Sequence, residues 1–85
     1  MTKMRPIPFA DFKAVIERLG FVEKRVPKGR VFKHPEEGLL LYRGYHDDEP
    51  VDLGDFVYTR RFLDMRGVLD AEEFDTALMR ADTPA

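Results

Sequence analysis

FVEKRVPKGRVFKHPEEGLLLYR, residues 21–43, reads as three short strands joined by two turns. The first run, Phe21 to Val26, mixes apolar residues with Glu23, Lys24 and Arg25. Pro27-Lys28-Gly29 breaks it, because proline has no N–H for a strand ladder and glycine tolerates positive φ. The second run, Arg30 to His34, alternates. Val31 and Lys33 belong to one face; Arg30, Phe32 and His34 belong to the other. Pro35-Glu36-Glu37-Gly38 makes the second turn, and Leu39 to Arg43 the third strand. The remaining segments read as helices that cover one face of this meander.

Upstream, Phe12, Val15, Ile16 and Leu19 fall on one face of a helix, which predicts a helix over Phe9 to Leu19. Asp11 in its first turn and Arg18 in its last agree with the helix dipole. Gly20 is the expected C′ residue, with Phe21 packing back to close the end. Pro6-Ile7-Pro8 is expected to be extended, and Met1 to Arg5 a loose end.

Downstream, Gly44 to Pro50 (GYHDDEP) reads as a solvated acidic loop. His46, Asp47, Asp48 and Glu49 are metal-binding residue types, but neighbours on one loop rarely converge on an ion. A second helix is predicted over Val51 to Gly67, with Asp52 as N-cap and Gly67 as C′. Leu53, Phe56, Val57 and Leu63 make one apolar stripe; Tyr58, Phe62, Met65 and Leu69 make a second beside it. So wide an arc is either covered on two sides or part of an interface. Arg60 and Arg61, mid-helix, are placed to meet a phosphate or an acidic partner. Asp70 and Glu73 form a capping pair for a short third helix with Phe74, Ala77, Leu78 and Ala81 on its apolar face. Asp82 to Ala85 should fray.

The 85 residues make one domain, residues 1–85, with a core over 8–69 and an extra helix over 70–81. Seven Phe and three Tyr supply much of the core, and there is no Trp. The absence of Cys excludes disulfides and thiolate metal sites and suits a reducing compartment. No apolar run approaches the ~20 residues of a membrane span. Met1 to Pro8 lacks the apolar core of a signal peptide, so the expected location is cytoplasmic. No cofactor is expected.

The charge is unevenly spread. Residues 1–45 hold ten Lys or Arg against five Asp or Glu, +5; residues 46–85 hold four against eleven, −7; the whole is −2. From Lys24 to His34 there are five cations and no acid. Such charge either keeps hairpin tips soluble or forms a basic binding surface.

Several local patterns resemble the small HicA-like (YcfA-like) toxins of toxin–antitoxin systems. FKAVIERLGF, residues 12–21, is similar to that family's first helix. VFKHP, residues 31–35, is similar to its second strand, and Gly44 to Pro50 to its loop into the second helix. RFLDMRGVL, residues 61–69, resembles its closing pattern. The resemblance implies the double-stranded-RNA-binding-like fold: α+β, ordered α-β-β-β-α, a three-stranded antiparallel sheet on two helices, here with a short C-terminal helix. It also implies an RNA substrate, metal-independent RNA cleavage and an antitoxin-like protein partner.

In that family the working residue is a His directly after Gly-Ser or Gly-Thr. Here the same place reads Gly29-Arg30-Val31. Taking a 2′-OH proton near neutral pH suits His, whereas Arg and Lys stay protonated. Three functions are therefore open. The first is a HicA-like RNA-binding domain without ribonuclease activity, gripping phosphates with Lys24, Lys28, Arg30, Lys33 and Arg43. The second is a protein-interaction module, for an antitoxin-like partner or a homodimer, using Tyr58, Arg61, Phe62 and Met65 and the acidic third helix. The third is an active ribonuclease that uses His34 or His46 instead.

Overall fold

In the computed structural model, which describes residues 6–81, the chain runs α1 (Phe9–Arg18), β1 (Val22–Arg25), β2 (Arg30–His34), β3 (Gly38–Tyr42), α2 (Leu53–Met65) and α3 (Ala71–Ala81). This is the expected α+β order. The expectations for residues 1–5 and 82–85, and for the side chains of Arg25 and Ala81, lie outside the described residues.

α1 and α2 stop by the same device. Gly20, at φ +101°, lets the Gly20 N–H donate to the Glu17 carbonyl and the Phe21 N–H to that of Ile16. Gly67, at φ +70°, lets its own N–H reach Asp64 and that of Val68 reach Leu63. Both pairs satisfy carbonyls that a helix end leaves open, and both bring an apolar residue back onto the helix. Asp52 stands at the N-cap of α2 as expected, but its carboxylate makes no cap bond there. At α3 the Asp70 carboxylate does accept the Glu73 N–H, at 2.9 Å.

The sheet has the order β1-β2-β3 and is antiparallel throughout. Its inner face buries Phe32, Leu40 and Tyr42. α1 lays two rings on that face, with centroids 6.0 Å apart for Phe9–Phe32 and 5.7 Å for Phe12–Tyr42. α2 lies beside β3, where the Leu41 N–H donates to Tyr58 Oη at 3.4 Å. α3 packs across α1 and α2, with Phe74 between Phe12 (6.0 Å) and Phe56 (5.3 Å). Phe9, Phe12, Phe32 and Phe74 are fully buried, each worth about 1.5–3 kcal/mol of transfer free energy.

The wide apolar arc of α2 resolves into one buried line, Phe56, Thr59 and Leu63, with Phe62 half-buried beside it. Leu53, Val57, Tyr58 and Met65 stay exposed. Sequence spacing alone joined these two sets, because it does not show which flank of a helix has a neighbour. No helix of the described residues is long and apolar enough to cross a membrane.

Candidate binding surface

The outer face of the sheet consists of two cross-strand rungs. Val22, Lys33 and Leu39 are aligned in one; Lys24, Val31 and Leu41 are aligned in the next. Directly paired residues share a face, so these six side chains stand together, opposite the helices. Val22 and Leu41 are each 56% exposed and Leu39 is 46% exposed. Val22, Lys24, Lys33 and Pro35 line a shallow depression of about 390 Å³. The face is therefore unequal along its width. Its cations lie on β1 and β2, where Val22 and Val31 alternate with them, whereas both outward residues of β3, Leu39 and Leu41, are aliphatic. Lys28 stands exposed at the β1–β2 turn.

The expected set of five gripping cations is divided by the structure. Lys24, Lys28 and Lys33 have no carboxylate partner among the described residues. Arg30 and Arg43 are engaged inside the chain. Arg30 Nε and Nη2 donate to the two Glu23 carboxylate oxygens at 2.7 and 3.0 Å. Arg30 Nη1 donates to Asp47 Oδ1 at 2.8 Å and to the Tyr45 carbonyl at 3.1 Å. The same guanidinium lies 4.6 Å from the Phe9 ring centre. Lys13 Nζ adds a second cation, 3.6 Å from Asp47 and 3.9 Å from Glu23. Hydrogen bonding from Arg30 holds both carboxyls below their usual range.

Arg43 is held similarly. Its Nη1 lies 2.7 Å from Glu49 and its Nε 3.3 Å from Asp52, and its guanidinium covers the Tyr45 ring at 3.9 Å. Phe9 and Tyr45 stack at 4.9 Å, so the two arginines are linked through two rings. Burial, and then the hydrogen bond to Asp55, push the Tyr45 hydroxyl up to about 12.

These contacts change the reading of the acidic loop. The carbonyls of Glu49 and Asp47 accept the N–H groups of Phe9 and Ala10, each at 2.8 Å, and so cap the start of α1. The Val51 N–H donates to Ile7 on the same side, at 2.9 Å. The carboxylates of Asp47 and Glu49 thus meet Arg30 and Arg43, while their backbone carbonyls hold the start of α1. Sequence reasoning missed Phe9, Lys13, Glu23, Tyr45 and Asp47 as one cluster. The available signal was a run of acids ahead of a helix in a chain whose first half is basic.

His34 Nδ1 accepts the N–H groups of Glu36 and Glu37, at 3.0 and 3.1 Å, and its ring packs on Phe21. It closes the β2–β3 turn. His46 is exposed on the loop, 12 residues along the chain and in a different element. Tyr58, Arg61 and Met65 are exposed on α2, while Phe62 is covered by Arg66 at 4.5 Å. Arg60, read as a group for an external anion, donates twice to Asp75 of α3, at 3.1 Å each. The chain matches no protein-family model, no curated protein and no solved structure.

Proposed function

We propose that this chain is a small non-enzymatic docking domain that holds a protein partner on the outer face of its sheet. One observation carries the proposal: Val22, Leu39 and Leu41 are open on the same two rungs that present Lys24 and Lys33. Aliphatic groups beside cations that have no carboxylate partner among the described residues suit a protein surface. RNA recognition on a sheet stacks bases on aromatic side chains. Here Phe32 and Tyr42 of the sheet are turned into the core. With Arg30 and Arg43 engaged internally, three of the five expected cations remain for phosphates, and a sequence-independent grip weakens with each cation removed.

The proposal keeps the fold outline and the protein-partner class implied by the HicA-like resemblance, and leaves out the nuclease step. The Gly29-Arg30-Val31 site has no His, and His34 Nδ1 already accepts two backbone N–H groups. The test is a titration of the protein with short single- and double-stranded RNA at low salt, followed by fluorescence anisotropy. We expect no saturable binding. Saturable binding that is lost in the Lys24→Glu/Lys33→Glu variant would replace the protein partner with RNA.

A further inference from the structure

Resting on that docking reading, we infer that the partner element is an amphipathic helix with an acidic flank, laid across the two rungs as a third layer. Among the described residues the sheet carries helices on one side only, and an apolar sheet face is stably covered by another packed layer. The division of the face selects the occupant. Leu39 and Leu41 are two residues apart on β3, a separation of about 6.8 Å along a strand. Side chains at i and i+4 of a helix are about 6 Å apart, so one apolar row of a helix spans both leucines. The adjacent row of the same helix then lies over β1 and β2, where Lys33 and Lys24 are diagonal neighbours. Carboxylates on that row meet both cations.

A second copy of this chain is a poorer occupant. The two rungs include no carboxylate, so two such faces would bring their four lysines together with no acid among them. The acidic helix α3 of a second copy has its apolar residues Phe74 and Leu78 already buried.

The experiment is an NMR titration of the isotope-labelled full chain with three probe helices of equal length. One carries leucines at i and i+4 with a glutamate row beside them; the second has lysines in place of the glutamates; the third has alanines in place of the leucines. We expect the first to shift the amides of Val22, Lys24, Val31, Lys33, Leu39 and Leu41, and to bind about tenfold tighter than either control. The Lys24→Glu/Lys33→Glu variant should reverse the order of the first two probes, which separates lost charge pairing from lost folding. Equal binding of the glutamate and lysine helices to those amides overturns the acidic occupant and leaves protein docking standing. Shifts confined to other residues, or no shifts with any helix, overturn both.

Discussion

Glu23 and Arg30, diagonal to one another across β1 and β2, are joined by two hydrogen bonds of 2.7 and 3.0 Å. This fork-to-fork geometry is the strong form of an ion pair. It converts a residue that belongs, by type, to a phosphate-binding surface into one that ties β1 and β2 to the loop capping α1.

Stability should therefore fall in acid. The Glu23 carboxyl lies below its ordinary value of 4.5 because Arg30 donates to it. Its contribution is present above 4.5 and is lost as the pH falls through the lower folded value. Urea unfolding across this range should show wild type losing stability and Glu23→Gln changing less. At neutral pH Glu23→Gln should cost about 1 kcal/mol. Asp47 responds to Arg30 and Lys13 in the same direction, so Glu23→Gln/Asp47→Asn should be flatter still. Equal acid sensitivity in all three proteins would remove the cluster from the account.

Tyr42 and Thr59 form a buried hydroxyl pair, and Thr59 also donates to the Asp55 carbonyl at 2.9 Å. With the Thr59 proton engaged, Tyr42 is the donor to Thr59. Thr59→Val then strands a buried hydroxyl and should cost about 1–3 kcal/mol. Tyr42→Phe removes the hydroxyl itself and should cost less, and the double variant should cost less than the two single changes added. Additive losses in denaturant melts would contradict this.

His34 should matter for folding. His34→Ala leaves the Glu36 and Glu37 N–H groups without their acceptor and should cost about 1–2 kcal/mol. His34→Asn keeps a side-chain oxygen acceptor near the same place and should recover part of the loss. If both variants unfold at the wild-type denaturant midpoint, the turn does not depend on the imidazole.

Two glycines offer a controlled comparison. Gly29 and Gly38 have φ of +113° and +104°, values that side chains rarely adopt. A Cβ at Gly29 would sit 2.7 Å from the Tyr42 carbonyl oxygen, whereas one at Gly38 meets nothing within 4 Å. Gly38→Ala should cost the backbone strain alone, about 1–3 kcal/mol. Gly29→Ala should cost more, because the hairpin must move away from β3. Thermal melts of the two variants in the opposite order would refute the comparison.

The sequence by itself determined the element order, the α1 and α2 stops at Gly20 and Gly67, and the division of β2 into a Val31/Lys33 face and an Arg30/Phe32/His34 face. These follow from short-range rules: helical and strand periods, a proline that cannot donate, a glycine that accepts positive φ. The element ends moved by one or two residues, with β3 at Gly38–Tyr42 and α2 at Leu53–Met65. The tertiary structure alone decided what became of the charges. Arg30 and Lys33 are three residues apart in one strand, yet the first meets Glu23 and Asp47 and the second faces solvent. Strand alternation assigns a side chain to a face but does not say what the rest of the chain brings to that face. Asp47, seventeen residues downstream of Arg30, arrives there only because the loop that carries it caps α1.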